Sequence, residues 1–177
     1  MTVRIFEGIN PQIAASAYVD DTALVIGNVT LEEDVSLWPK VVARGDVNSI
    51  FVGARTNIQD GTILHVSHDS EFAPGGFALH IGAGVTVGHQ AIIHGCRIGD
   101  RCLIGMAATV MDGAVVESGA IVGAGSLVPP GRTLQGGYLW VGSPARKVRP
   151  LKPEEEGFLD YSAGHYVELK NRHLVSV

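Results

Sequence analysis

The sequence predicts an all-β solenoid, a coil of short parallel strands stacked turn upon turn and followed by a C-terminal α-helix. Three observations carry this. An aliphatic residue returns every six positions over most of the chain. Glycine is abundant, at 23 of 177 residues, while aromatic residues make up only 6 %, which describes a thin, repetitive core of small side chains. Beyond the GSPAR corner at 142–146 the period stops and an acidic, helix-like segment begins. A fixed internal period is the mark of a repeat architecture.

The period runs through VDDTAL, VIGNVT, LEEDVS and LWPKVV from Val19, and through VGARTN, IQDGTI and LHVSHD from Val52. IGAGVT, VGHQAI and IHGCR follow from Ile81, then IGDRCL, IGMAAT, VMDGAV, VESGAI, VGAGSL and VPPGRT from Ile98. One aliphatic per hexad means one short strand and one corner. Gly, Asn and Asp tolerate the backbone angles that corners need. Three hexads close a triangular coil with the aliphatic residues stacked inside. Residues 69–78, DSEFAPGGFA, break the pattern and read as an inserted loop. The solenoid is assigned to residues 1–150 and the helix to 151–177. Pro153 and three Glu open that helix, as helix N-termini favour. It is expected to pack on the β-helix or on a neighbouring subunit, with His165 and His173 at its surface.

Bulk properties narrow the class. A net charge of −5 argues against a nucleic-acid partner. No apolar run reaches the ~18 residues that span a bilayer, and MTVRIFEGINPQI has no signal-peptide core. Two cysteines give no disulfide framework. Cys96 and Cys102 are expected as unbridged core thiols on different faces. The expectation is a soluble, cytoplasmic protein.

The histidines follow from the register. Calling the hexads at 52, 58 and 64 faces a, b and c, Ile81, Val87 and Ile93 resume the same faces after the loop. The residue after each inward aliphatic points outward. His65 and His94 therefore share one position on face c, one coil apart. Coils stack about 4.8 Å apart, and two imidazoles at that offset can tilt onto one ion. Arg44 falls on face c below His65. Gln59 falls on face b near His89, around the corner, so His89 reaches such an ion only from a second chain. Three-fold symmetry would build this crevice three times. His68 and His80 read as loop or supporting residues.

RGDV (44–47), GARTNIQDGTILHV (53–66), TVGHQAIIHGC (86–96), IGM (104–106), the GSPAR corner and the terminal helix together resemble the gamma-class carbonic anhydrase family. The resemblance implies a left-handed parallel β-helix and a homotrimer. It also implies a metal held by His65 and His94 of one chain and His89 of the next: Zn2+, with Fe2+ or Co2+ as alternatives. Such an ion ionises water near neutral pH and so hydrates CO2 to bicarbonate. By family position Gln59 orients substrate, Arg44 pairs across the interface with Asp60, Asp46 supports that network, and Tyr166 is the tail tyrosine near the site. Val47 stands where well-characterised members carry Glu. His68, Asp69 and Glu71 do not match the family's proton-shuttling Glu. Substrates in view are CO2/bicarbonate or another small carboxylate. The competing classes are a hexapeptide acyltransferase using coenzyme A, a metal-dependent CoA thioesterase, and a metal-binding assembly protein with little activity.

Overall fold

The computed structural model describes residues 2–175. The chain winds into a three-faced parallel β-helix, and the C-terminal helix lies along one face. Face c holds Leu24–Ile26 and the first part of Val42–Val52, then Ile63–His65, Ile92–His94, Thr109–Val110 and Leu127–Val128, every neighbour parallel. Face a continues from the same two long strands through Leu79–Ile81, Arg97–Ile98, Val115–Val116 and Thr133–Leu134. Face b runs from Tyr18–Val19 through Ser36–Leu37, Asn57–Ile58, Thr86–Val87, Leu103–Ile104 and Ile121–Val122 to Tyr138–Val141.

The hexad positions are the core. Ala43, Leu64, Ile93, Val110 and Val128 stack inside face c, Val52, Ile81, Ile98, Val116 and Leu134 inside face a, and Leu37, Ile58, Val87, Ile104 and Val122 inside face b, all fully buried. One aliphatic per strand suffices because each strand's inward residue rests on its equivalent one coil away. Each buried aliphatic of this size contributes on the order of 1.5–3 kcal/mol. Both cysteines are free and buried. Burial pushes the Cys96 thiol up and the Cys102 thiol to about 11, which leaves them inert.

The corners depart from expectation in composition. Lys40, Arg55, Gln90, Arg101 and Ala107 hold left-handed backbone, with φ between 54° and 63°. A left-handed conformation costs an ordinary residue roughly 1–2 kcal/mol. The regular ladder on either side of each corner offsets that cost.

The helix, Pro153–Leu174, starts on a capping box at Lys152 with Pro at its first turn. Arg149 clamps Glu155 through two bonds of 2.7 Å, and Arg101 grips Asp160 in the same bidentate way. Leu159, Ser162, Ala163 and Lys170 form the buried side. His173 is exposed, as expected, and its ring meets Trp38 edge-on at 5.1 Å and Tyr18 at 5.7 Å. Among the described residues no helix is long and apolar enough to cross a membrane. Ser176 and Val177, at the end of the expected helical tail, lie outside the described residues.

Candidate metal centre

The coil register brings His65 and His94 together. Ile93 pairs with Leu64 and His94 with His65, and Ala43 pairs with Leu64 from below, so Arg44 joins the same outward column. His65 Nδ1 lies 2.9 Å from His94 Nε2. The other nitrogen of each ring faces a carboxylate. His65 Nε2 is 3.2 Å from Asp46 Oδ1, and His94 Nδ1 is 2.6 Å from Asp112 Oδ1. Arg44 donates to the second oxygen of Asp46. Burial alone would raise Asp46, but the hydrogen bonds from Arg44 and His65 outweigh it and hold the carboxyl below its ordinary value. Burial lowers His65 and favours its neutral form.

That arrangement fits a cation. Neutral imidazole has one N–H and one lone pair. The carboxylates take the N–H of each ring, so the two facing nitrogens both present lone pairs, 2.9 Å apart. The contact is repulsive until a positive species enters it. A carboxylate on the far nitrogen of each imidazole is also the usual companion of a bound metal.

His89 has the same equipment elsewhere. It sits in the turn after Thr86–Val87, at the edge between faces b and c, with Nδ1 2.8 Å from Asp60 Oδ2. Among the described residues its Nε2 has no hydrogen-bond partner. Within one chain, and among the described residues, no three His, Cys, Asp or Glu side chains converge on a common point that could hold an ion.

Beside His89 lies a cavity of about 240 Å3 that Gln59, Tyr166, Met106 and Phe158 help to line. Gln59 is only 5 % exposed because the helix covers it. Its Nε2 donates to Asn57 Oδ1 at 3.1 Å; Asn57 donates to Thr86 Oγ1 at 2.9 Å; and Thr86 Oγ1 is 2.8 Å from Ser162 Oγ on the helix. This string fixes the amide plane of Gln59. Tyr166 leans on Trp38 at 5.6 Å, and burial, reinforced by the Asp60 charge, raises its pKa and keeps the hydroxyl protonated.

Arg44 holds Asp46 and Asp60 holds His89. Val47 is exposed, Asp69 accepts from Gly75 N inside its own loop, and His80 stacks on Phe51 at 4.8 Å, away from the site. Asp112 was not foreseen. Its signal was the corner VMDG one coil above His94, the counterpart of IQDG below His89.

A parallel β-helix of six-residue repeats defines the class, a hexapeptide-repeat protein; on it His65, His89 and His94 each meet a carboxylate. The family described as bacterial transferase hexapeptide (six repeats) matches residues 95–130. Protein YrdA of Escherichia coli is 51 % identical over 172 residues, spanning 97 % of this chain and 94 % of that one. A carbonic anhydrase of Geobacillus kaustophilus is 41 % identical, over 92 % of this chain and 86 % of that protein. The crystal structure of a hexapeptide transferase family protein from Anaplasma phagocytophilum superposes with a TM-score of 0.89 at 36 % identity, covering 96 % of both chains. The chain belongs to the gamma-class carbonic anhydrase-like family of hexapeptide-repeat proteins.

Proposed function

We propose that the protein is a gamma-type carbonic anhydrase-like metalloenzyme, a homotrimer that hydrates CO2 to bicarbonate at sites between subunits. One observation carries this: two imidazoles on adjacent coils face each other at 2.9 Å while carboxylates hold their other nitrogens. His65 and His94 of one chain and His89 of the next would hold Zn2+, or alternatively Fe2+ or Co2+. Such an ion supplies Lewis acidity, enough to make water a nucleophile near neutral pH.

The chain's own residues do the rest. Asp46, Asp112 and Asp60 hold the three rings in ligating orientation. Gln59, its plane fixed by Asn57, presents an amide to a substrate oxygen. Tyr166 contributes a protonated hydroxyl on the same cavity wall. Arg44 keeps Asp46 ionised and would pair with Asp60 of a neighbouring chain. With Val47 in place of a carboxylate, protons leave through buffer or through His68, Asp69 and Glu71 of the loop.

The test is stopped-flow CO2 hydration on metal-loaded protein, alongside metal analysis. Activity should vanish with a chelator and return with the ion. Stoichiometric metal without hydration would discard the lyase. A second reading then stands, hydrolysis of a small acyl ester or thioester at the same site. The cavity wall of Leu103, Met106 and Phe158 favours it, since an apolar substituent would fill space that CO2 leaves empty.

A further inference from the structure

The six-residue period loses a residue once between Ile81 and Thr133: Ile98 follows Ile93 by five, directly after His94. The structure gives the shortened corner a purpose. Gly95 turns it with φ 47°. A Cβ at Gly95 would collide with the Asp112 carboxylate and with Phe77. The corner is therefore both short and bare where Asp112 reaches down from the coil above. Gly113 N donates to Gly95 O at 2.8 Å and ties the two corners. Asp112 uses both oxygens, Oδ1 2.6 Å from His94 Nδ1 and Oδ2 accepting from Ser67 Oγ at 2.9 Å. Ser67 is itself pinned by backbone pairing with Phe77 at the base of the inserted loop.

We propose that Asp112, locked by Ser67, is the positioning residue of His94, fixing the Nδ1–H tautomer so that Nε2 presents its lone pair towards His65. A carboxylate only accepts, so the hydrogen must sit on Nδ1. Without Asp112 the neutral ring has no reason to prefer that tautomer or that tilt. The consequence for metal affinity rests on the metal-site reading above; the tautomer does not. Asp100 supplies the contrast. It occupies a comparable corner, but its Oδ1 accepts from a backbone nitrogen, Ala83 N, at 2.8 Å, and serves as an ordinary corner cap.

The experiment uses the assembled protein and two readouts. In metal-free protein, 15N shifts of the imidazole nitrogens, assigned with His94→Gln, report the tautomer. Wild type should show His94 as Nδ1–H, and Asp112→Asn a mixture. Chelator competition with Zn2+, and the visible spectrum with Co2+, report the ligand set. Asp112→Asn should bind about 10–100-fold more weakly with an altered Co2+ spectrum. Ser67→Ala should move both readouts the same way by less, and Asp100→Asn should move neither. If Asp112→Asn does not assemble, Ser67→Ala decides. A single Nδ1–H tautomer in the carboxylate variant, or in Ser67→Ala should that variant stand alone, overturns the proposal. So does unchanged affinity there in a protein whose wild type binds metal. If wild type binds no divalent metal, the metal reading fails, and the tautomer still decides the role of Asp112.

Discussion

Two defective versions of this protein should repair each other. His65 and His94 face each other at 2.9 Å within one chain, while His89 sits in a different turn, bound to Asp60. A site built between subunits takes two ligands from one chain and one from the next. His89→Ala protein keeps the pair and lacks the third ligand. His65→Ala/His94→Ala protein keeps only the third. Each homotrimer should therefore lack tightly bound metal. Mixed equally, unfolded and refolded, the chains assemble at random. A site is whole when a pair-bearing chain meets a His89-bearing neighbour in the right cyclic sense, which happens at about a quarter of all sites. Metal retained after gel filtration should recover to that fraction, and CO2 hydration, where wild type shows it, should follow. Native mass spectrometry establishes that the trimers are mixed. Zero recovery from mixed trimers, or full metal in either homotrimer, refutes the inter-subunit site.

Gln59→Ala should retain metal and lose turnover, since Gln59 faces the cavity rather than the imidazole pair; loss of metal would reassign it. Lys170 is 1 % exposed and bonded to Asp34 at 2.8 Å. Lys170→Ala should cost about 3 kcal/mol in urea unfolding, while Lys170→Met should fall within about 1 kcal/mol of wild type, because Met refills the packed stem and Asp34, 35 % exposed, is still solvated without its partner. Equal losses in the two would show that the ion pair, not the packing of the stem, carries the stability. The Arg149 hydrogen bonds hold Glu155 down from 4.5 to about 2. A depressed carboxylate stabilises the fold fully above its unfolded pKa, and that contribution fades as pH falls from 4.5 to about 2. Thermal melts of Glu155→Gln should be flatter than wild type across that acid window and parallel to it above. Identical acid limbs would remove Glu155 from the account.

Much of the fold was legible because a hexad encodes position three times over, as inward residue, face and coil. Counting sixes was enough to put His94 over His65 and Arg44 beneath them, and the strand pairs agree. It also placed both cysteines inside and apart. What the period does not encode is reach. Asp112 acts on a residue one coil away through a corner, and nothing local to VMDG distinguishes it from the corner carboxylate Asp100. The helix was legible as a helix, from Pro153 and its glutamates, but the burial of Lys170 on its inner face was not. Lys170 is buried and His173 packs on Trp38, because the surface it covers is a row of outward polar and aromatic residues rather than an aliphatic core.

The irregularities say more about function than the repeats do. In a solenoid each coil is geometrically equivalent, so a departure from the period disturbs the ladder and needs a compensating reason. Here three successive coils depart at the same corner, between faces c and a: from Ala43 to Val52, from Leu64 to Ile81 and from Ile93 to Ile98. The first departure widens the corner and brings in Asp46, which holds His65. The second inserts the loop whose base carries Ser67, and the third shortens the turn so that Asp112 reaches His94. The next coil returns to six at this corner, with Val116 following Val110. The anomalies thus span the coils that bear the histidine pair and end where its last carboxylate is supplied. Restoring the period at one of these corners should leave a well-formed coil and a misdirected imidazole, which separates the information that builds the helix from the information that builds its site.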